Sequence, residues 1–302
     1  MIGLGILDIL APAILIGLTY ALLAVGYAVA YSSMKMVNFA HGEVFMSGAL
    51  AGYFVLEIGG GVLDRWPIGL FVVAMLTGGV VGAAMAFSIQ WVVYRPLVRR
   101  GRLALILAAL GTSMFLQHSS LLILRMHASG SSERRLTSPS SEFIVSSGLS
   151  TSEGAGLILL LLSILALSWL IENTAFGIRL RAISSSVEDV KRLKLPVETT
   201  MAQAFALGGF FAGAAGVVYA KQYTLTPFMG FIPGLKAFLA CIVGGRGIYG
   251  AVLGGLIIGI VEGLLSGWLG ADWRDIIIGL LIIATMVMRP NGLLSVAPPR
   301  TL

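Results

Sequence analysis

The chain alternates between long uncharged apolar runs and short polar interruptions. Residues 9–31, 67–94, 103–124, 154–171 and 199–220 contain no Asp, Glu, Lys or Arg. Each is long enough, or nearly so, to cross a hydrocarbon core that needs roughly 20 helical residues. The other apolar runs are shorter or broken. Residues 44–56 are too few to span alone, so a crossing there must begin near Met36 and draw Asn38, His41 and Glu43 into or against the membrane. Residues 222–245 are interrupted by Pro227, Gly230, Pro233, Gly234 and Lys236, the pattern of a discontinuous or partly re-entrant segment. Beyond residue 247, Gly255, Gly259, Gly263 and Gly267 recur every four residues and predict a helix-packing seam, with Glu262 beside it. The last run, 276–288, spans if Trp273 and Arg289 sit at the two interfaces. The pattern predicts an all-α polytopic membrane protein with eight or nine transmembrane helices, nine being favoured, and with broken or re-entrant segments among them.

Composition agrees. Of 302 residues, 57% are apolar and 11% charged, with a mean hydropathy of +0.95; soluble domains carry roughly 25% charge. No stretch remains for a second, soluble domain, so residues 1–302 read as one transmembrane domain. The net charge of +6 follows from topology and anionic lipid and does not imply nucleic acid. The lone Cys241 excludes an internal disulfide and a cysteine metal cluster. No basic residue precedes the first apolar run, so a secretory signal is not expected and the first span is retained.

Charge also sets orientation. Arg95, Arg99, Arg100 and Arg102 mark one turn as cytoplasmic by the positive-inside rule. Residues 172–200 hold Arg179, Arg181, Lys191, Arg192 and Lys194 between two spans and read as a second cytoplasmic loop. Within it Ser184, Ser185 or Ser186 can cap a short helix whose first turn holds Glu188 and Asp189 and whose later turn is basic, as the helix dipole favours. Pro196 is expected to end that helix. Such a helix, braced between two spans, is placed to receive force from a soluble partner. The Ser-rich residues 125–153 read as an external loop, Gln117 and His118 as interfacial, and Asp272 to Asp275 as an external turn. The N-terminus is then outside and the C-terminus inside.

Asn38, His41 and Glu43 are costly at membrane depth unless they line a wet path or find partners. The competing reading is that His41 and Glu43 pair and tie down a helix break. Two other classes are weighed. A secondary transporter or channel would use Glu43 and Glu262 for ion coupling. An intramembrane enzyme would need His41 and Ser47 together, but six residues apart they face different sides of a helix. The chain contains no GxxxxGK[ST], so nucleotide hydrolysis belongs to another subunit.

Four separated motifs carry a family resemblance: Gly26-Tyr27 with Asn38-Phe39-Ala40-His41-Gly42-Glu43; Tyr94-Arg95-Pro96-Leu97; Gly177-Ile178-Arg179-Leu180-Arg181-Ala182; and Gly234-Leu235-Lys236-Ala237-Phe238, continued by Val243-Gly244-Gly245. In this order, over nearly the whole chain, they resemble the permease subunits of bacterial branched-chain amino acid type ABC importers. The likeness is to the first of the two homologous permeases such importers carry, the one related to high-affinity leucine transport. The wider family also takes up urea, short amides and some aromatic or organic acids. The resemblance implies a multi-pass inner-membrane subunit paired with a second permease, two cytoplasmic ATPases that bind ATP and Mg, and a periplasmic solute-binding protein. No cofactor is expected on this chain itself. It also implies that Glu188, Asp189, Val190, Lys191, Arg192 and Leu193 form the coupling helix, and that Asn38, His41, Glu43, Phe228 and Lys236 line the substrate path. The chain departs from the family where Lys194 replaces the glycine that would close the coupling helix, leaving Pro196 as the expected terminator.

Overall fold

The computed structural model describes residues 6–59, 66–127, 151–245, 247–268, 271–289 and 292–294. Most of the predicted external loop, 125–153, lies outside the described residues, as do Arg246 and Arg300. The helices in chain order are α1 (Ile6–Met34), α2 (His41–Ile58), α3 (Pro67–Ser88), α4 (Arg102–His127), α5 (Thr151–Asn173), α6 (Ala175–Ser185), α7 (Val187–Arg192), α8 (Val197–Gln222), α9 (Phe231–Gly244), α10 (Ile248–Trp268) and α11 (Ala271–Met288). The axis of α3 continues through a wide π-type turn, Ile89–Tyr94, into Arg95–Leu97.

Among the described residues, six helices are long and apolar enough to cross a membrane: α1, α3, α4, α5, α8 and α10. The eight or nine spans expected from the sequence would need α2, α9 and α11 as well. Helix α2 opens on His41 and Glu43, while α9 and the apolar part of α11 are shorter than the six. At 14 residues, α9 rises only about 21 Å against a hydrocarbon core of roughly 30 Å. Asp272, Trp273, Arg274 and Asp275 belong to the opening of α11 and not to a turn between helices.

Helices α1 and α8 form the enclosed centre. Each buries 72% of its apolar window, against 22% for α4 and 28% for α5, which therefore sit at the periphery with much of their apolar surface left for lipid. Small residues allow the central helices to meet backbone to backbone. A Cβ at Gly213 of α8 would stand 2.1 Å from the Gly78 carbonyl oxygen of α3, and one at Gly48 of α2 would stand 2.2 Å from the Gly213 Cα. The predicted seam on α10 lies against α1: Gly255 faces Ala21, Gly259 faces Gly17 and Gly263 faces Ala13. Gly267 falls near the end of the same helix.

The corner after α5 is fixed by local chemistry. Thr174 caps α6, its hydroxyl accepting from the Gly177 amide at 3.3 Å. The Arg181 guanidinium reaches back to donate to the Ile171 and Glu172 carbonyls at the end of α5, groups that no helical amide can reach. Ser186 caps α7 by accepting from the Asp189 amide at 3.3 Å. The helix does not end as the sequence suggested. Lys194 takes the left-handed conformation at φ 56°, its amide donates to the Lys191 carbonyl at 3.0 Å, and the Leu195 amide donates to the Val190 carbonyl at 3.2 Å. That is a Schellman closure with lysine in the place where glycine is free of steric penalty, and Pro196 instead precedes α8. Lys194→Gly is therefore expected to stabilise the corner by roughly 1 kcal/mol. Hydrogen exchange at the Lys194 and Leu195 amides measures it, and unslowed exchange would contradict the strain argument.

Candidate functional site

Between α1 and α2 the chain makes a bend that Asn38 holds. Its side-chain oxygen accepts from the Ala40 amide at 3.1 Å and from the Tyr94 hydroxyl at 2.6 Å, while its own amide donates to the Tyr27 hydroxyl at 3.0 Å. The π-type turn at the end of α3 carries Tyr94, and widened turns of this kind commonly serve to aim a side chain inward. Asn38 is thus bound on three sides by the fold itself. His41 and Glu43, both buried, do not pair. The His41 Nε2 lies 3.3 Å from the Leu23 carbonyl and its ring meets Tyr27 edge-on at 5.6 Å. Glu43 Oε1 instead accepts from Gln117 at 2.7 Å and from Ser113 at 3.1 Å. Its second oxygen is buried without a hydrogen-bond partner and faces Gly230, where a Cβ would stand 3.0 Å away. Gln117, half-buried, thus fastens α4 to α2. His118, next to it, is exposed and bonds its own helix at the Met114 carbonyl, 2.8 Å away.

A second polar centre lies across α9 and α10. The Lys236 ammonium is 2.8 Å from Glu262 Oε2, with 7% and 1% of the two side chains exposed, and stands 5.8 Å above the Tyr20 ring. Two opposite charges this deep offset one another, which a lone buried charge could not manage without a large desolvation cost. Phe228, by contrast, is half exposed in the turn before α9 and meets His118 edge-on at 6.3 Å. The five predicted path residues thus separate into the Asn38, His41 and Glu43 bend, the Lys236 ion pair and the outlying Phe228. Between the bend and α9, Tyr27, Asn38, Gly234 and Phe238 enclose only about 10 Å³, room for about one water.

Ser47 donates to the Glu43 carbonyl at 2.8 Å and His41 points to α1, so the pair that an enzyme would need is not assembled. Among the described residues no cluster of three or more His, Cys, Asp or Glu is placed to hold a metal. The sequence reasoning missed Tyr27, Tyr94, Ser113 and Gln117. A signal for the last two was available: Ser113, Gln117 and Ser120 stripe one face of an otherwise apolar helix.

The third feature is α7. Val190 is buried with Ile183 of α6 and Val197 of α8, while Glu188, Asp189, Lys191, Arg192 and Leu193 are exposed, Leu193 by 71%. One apolar side chain pins a charged rod to two longer helices.

A polytopic helical bundle with buried polar bends, short half-helices and a charged surface helix pinned to its centre is the architecture of a membrane permease. The chain belongs to the family described as branched-chain amino acid transport system, permease component, which it matches over residues 9–286. It is 33% identical over 292 residues to the high-affinity branched-chain amino acid transport system permease protein LivH of Escherichia coli K12, covering 93% of this chain and 92% of that one. The corresponding BraD permease of Pseudomonas aeruginosa is 32% identical over 295 residues, with the same coverage. A probable branched-chain amino acid permease of Methanocaldococcus jannaschii is 27% identical over 308 residues, covering 97% and 94%. No solved structure matches the chain significantly.

Proposed function

We propose that this chain is one of two homologous permeases of an ATP-driven importer in a bacterial inner membrane, and that its solute is a branched-chain amino acid. Relatives with that substrate in their names cover more than nine-tenths of the chain, and the family description agrees. Two cytoplasmic ATPases supply ATP and Mg chemistry, and a periplasmic binding protein supplies the solute. Membrane lipid surrounds the complex. The solute passes between the two permeases, with His41, Glu43, Lys236 and Phe228 along its way and Asn38 holding the bend beside it.

The observation that carries the coupling assignment is α7. Its exposed residues Glu188, Asp189, Lys191, Arg192 and Leu193 offer a short charged helix to a groove, and Val190 links it to α6 and α8. A push on α7 therefore reaches α8, the central helix of the bundle. Reversal of both acids, Glu188→Lys with Asp189→Lys, is expected to leave the complex in the membrane and its ATP hydrolysis running while uptake falls at least about tenfold, the equivalent of 1.4 kcal/mol of lost coupling. The neutral pair Glu188→Gln with Asp189→Asn controls for the helix-dipole contribution of roughly 0.3–1 kcal/mol per charge. Uptake that survives the reversal removes α7 from the coupling role.

A further inference from the structure

A half-open cavity of about 300 Å³ lies where α1, α5, α6 and the start of α10 converge. This is the arginine- and lysine-rich side of the protein, the same side as α7. The size sits at the lower end of small-molecule sites, roughly 300–1,000 Å³. Its polar wall contains Arg181, Glu172, Ser32 and Ser184. The Arg181 guanidinium donates to the Glu172 main-chain carbonyl at 3.4 Å, and the Glu172 carboxylate accepts from the Tyr249 hydroxyl, which leaves its remaining lone pairs for a ligand ammonium. Two of the five guanidinium donors face the end of α5, leaving others for a ligand. Lys35 adds a further positive charge at the rim, its ammonium 3.0 Å from the Ser184 hydroxyl. The rest of the lining is aliphatic and interleaved with these groups: Ala28, Val29, Ile171, Leu180 and Ile248.

We infer that this cavity is a binding site for a free zwitterionic amino acid with an aliphatic side chain, filled from the cytoplasmic side by accumulated product. The carboxylate goes to the Arg181 guanidinium, the fork that matches it, and the ammonium to Glu172. The side chain lies on Ala28, Val29, Leu180 and Ile248. Urea or a short amide carries no charge to pair with either group and leaves the aliphatic lining bare; a zwitterionic phospholipid headgroup offers the same two charges, and the experiment below separates it from a free amino acid. Occupancy also has a mechanical effect. Leu180, Arg181 and Ser184 are on α6, which packs against α7 through Ile183 and Val190, so a ligand wedged between α6 and α1 resists displacement of the coupling corner. This inference rests on the importer reading above and gives it a feedback site.

The test uses the detergent-solubilised permease and ATPase complex without its binding protein, with radiolabelled L-leucine in equilibrium dialysis. Saturable binding is expected, uncompeted by urea and weakened at least about tenfold in both Glu172→Gln and Ala28→Leu. Glu172 is exposed, so its variant tests the site even if filling the cavity at Ala28 prevents assembly. In proteoliposomes, leucine on the ATPase side is expected to slow uptake by the wild type and to lose that effect in Glu172→Gln. ATP-driven, binding-protein-dependent uptake of leucine by the wild type reports the importer reading separately. Uptake without leucine binding, or binding unchanged in the variants, overturns the inference and leaves that reading standing. A phospholipid seen by native mass spectrometry to be lost from Ala28→Leu, with no leucine bound to the wild type, overturns it in favour of lipid.

Discussion

Lys236→Met is expected to destabilise the permease by roughly 3–5 kcal/mol, because it leaves Glu262 as an uncompensated charge in an enclosed site. The loss should appear as less folded protein extracted from the membrane and a lower thermal midpoint of what remains. Adding Glu262→Leu removes the stranded charge, and the double variant is expected to recover most of the stability, since replacing both partners of a buried pair by apolar groups is often neutral or favourable. That recovery separates two roles of the lysine. If the double variant assembles and still transports, the ion pair serves only to join α9 to α10. If it assembles and does not transport, the charged pair itself acts in transport beyond joining the two helices.

The second large effect is expected at Gly213. A branched side chain there must displace the backbone of α3 at Gly78 and Gly82, because the added Cβ alone falls 2.1 Å from the Gly78 carbonyl oxygen and 3.2 Å from the Gly82 Cα. Overpacking costs roughly 1–3 kcal/mol when side chains can yield, and here main chain must yield instead. Gly213→Val is expected to reach or exceed the top of that range and to abolish recovery of an intact bundle. Gly111, on peripheral α4 with nothing within 4 Å of its added Cβ, is the matched control: Gly111→Val should be recovered at near wild-type amounts. Equal recovery of the two variants would show that the close crossing does not hold the core.

What the sequence made legible was local. The spans stood out as uncharged runs, and the capped charged helix was readable from Ser186, Glu188 and Asp189 because capping acts over three residues. The enclosure of Asn38, His41 and Glu43 was expected from counting, and all three are buried. Partners distant in the chain were not legible. Glu43 finds Gln117 across 74 positions, and no local rule links them, so from the sequence the glutamine reads as interfacial and the glutamate either as lining a path or as pairing with His41, to which it makes no hydrogen bond. Lys236 and Glu262 were each conspicuous, yet only the packing of α9 on α10 makes them a pair. Lys194 failed for another reason. Lysine is disfavoured in the left-handed region, so the sequence pointed past it to Pro196, whereas the hydrogen bonds of Val190 and Lys191 hold it there.

The close approaches of α8 are confined to a short middle stretch. Gly208 meets Gly26 of α1, Gly209 and Gly213 meet α3, and Gly216 meets the Phe45 carbonyl of α2. In the same stretch Phe210 seats at Gly79 and Val217 at Gly52 and Gly78, so α8 is gripped at its waist by main chain and side chains together. Helix α8 has 26 residues and is about 39 Å long. Tilted by about 10° around its waist, it would carry its two ends about 3 Å in opposite directions. A helix gripped at mid-length in this way would act as a lever: a tilt that widened one end of the bundle would narrow the other, with no separate latch.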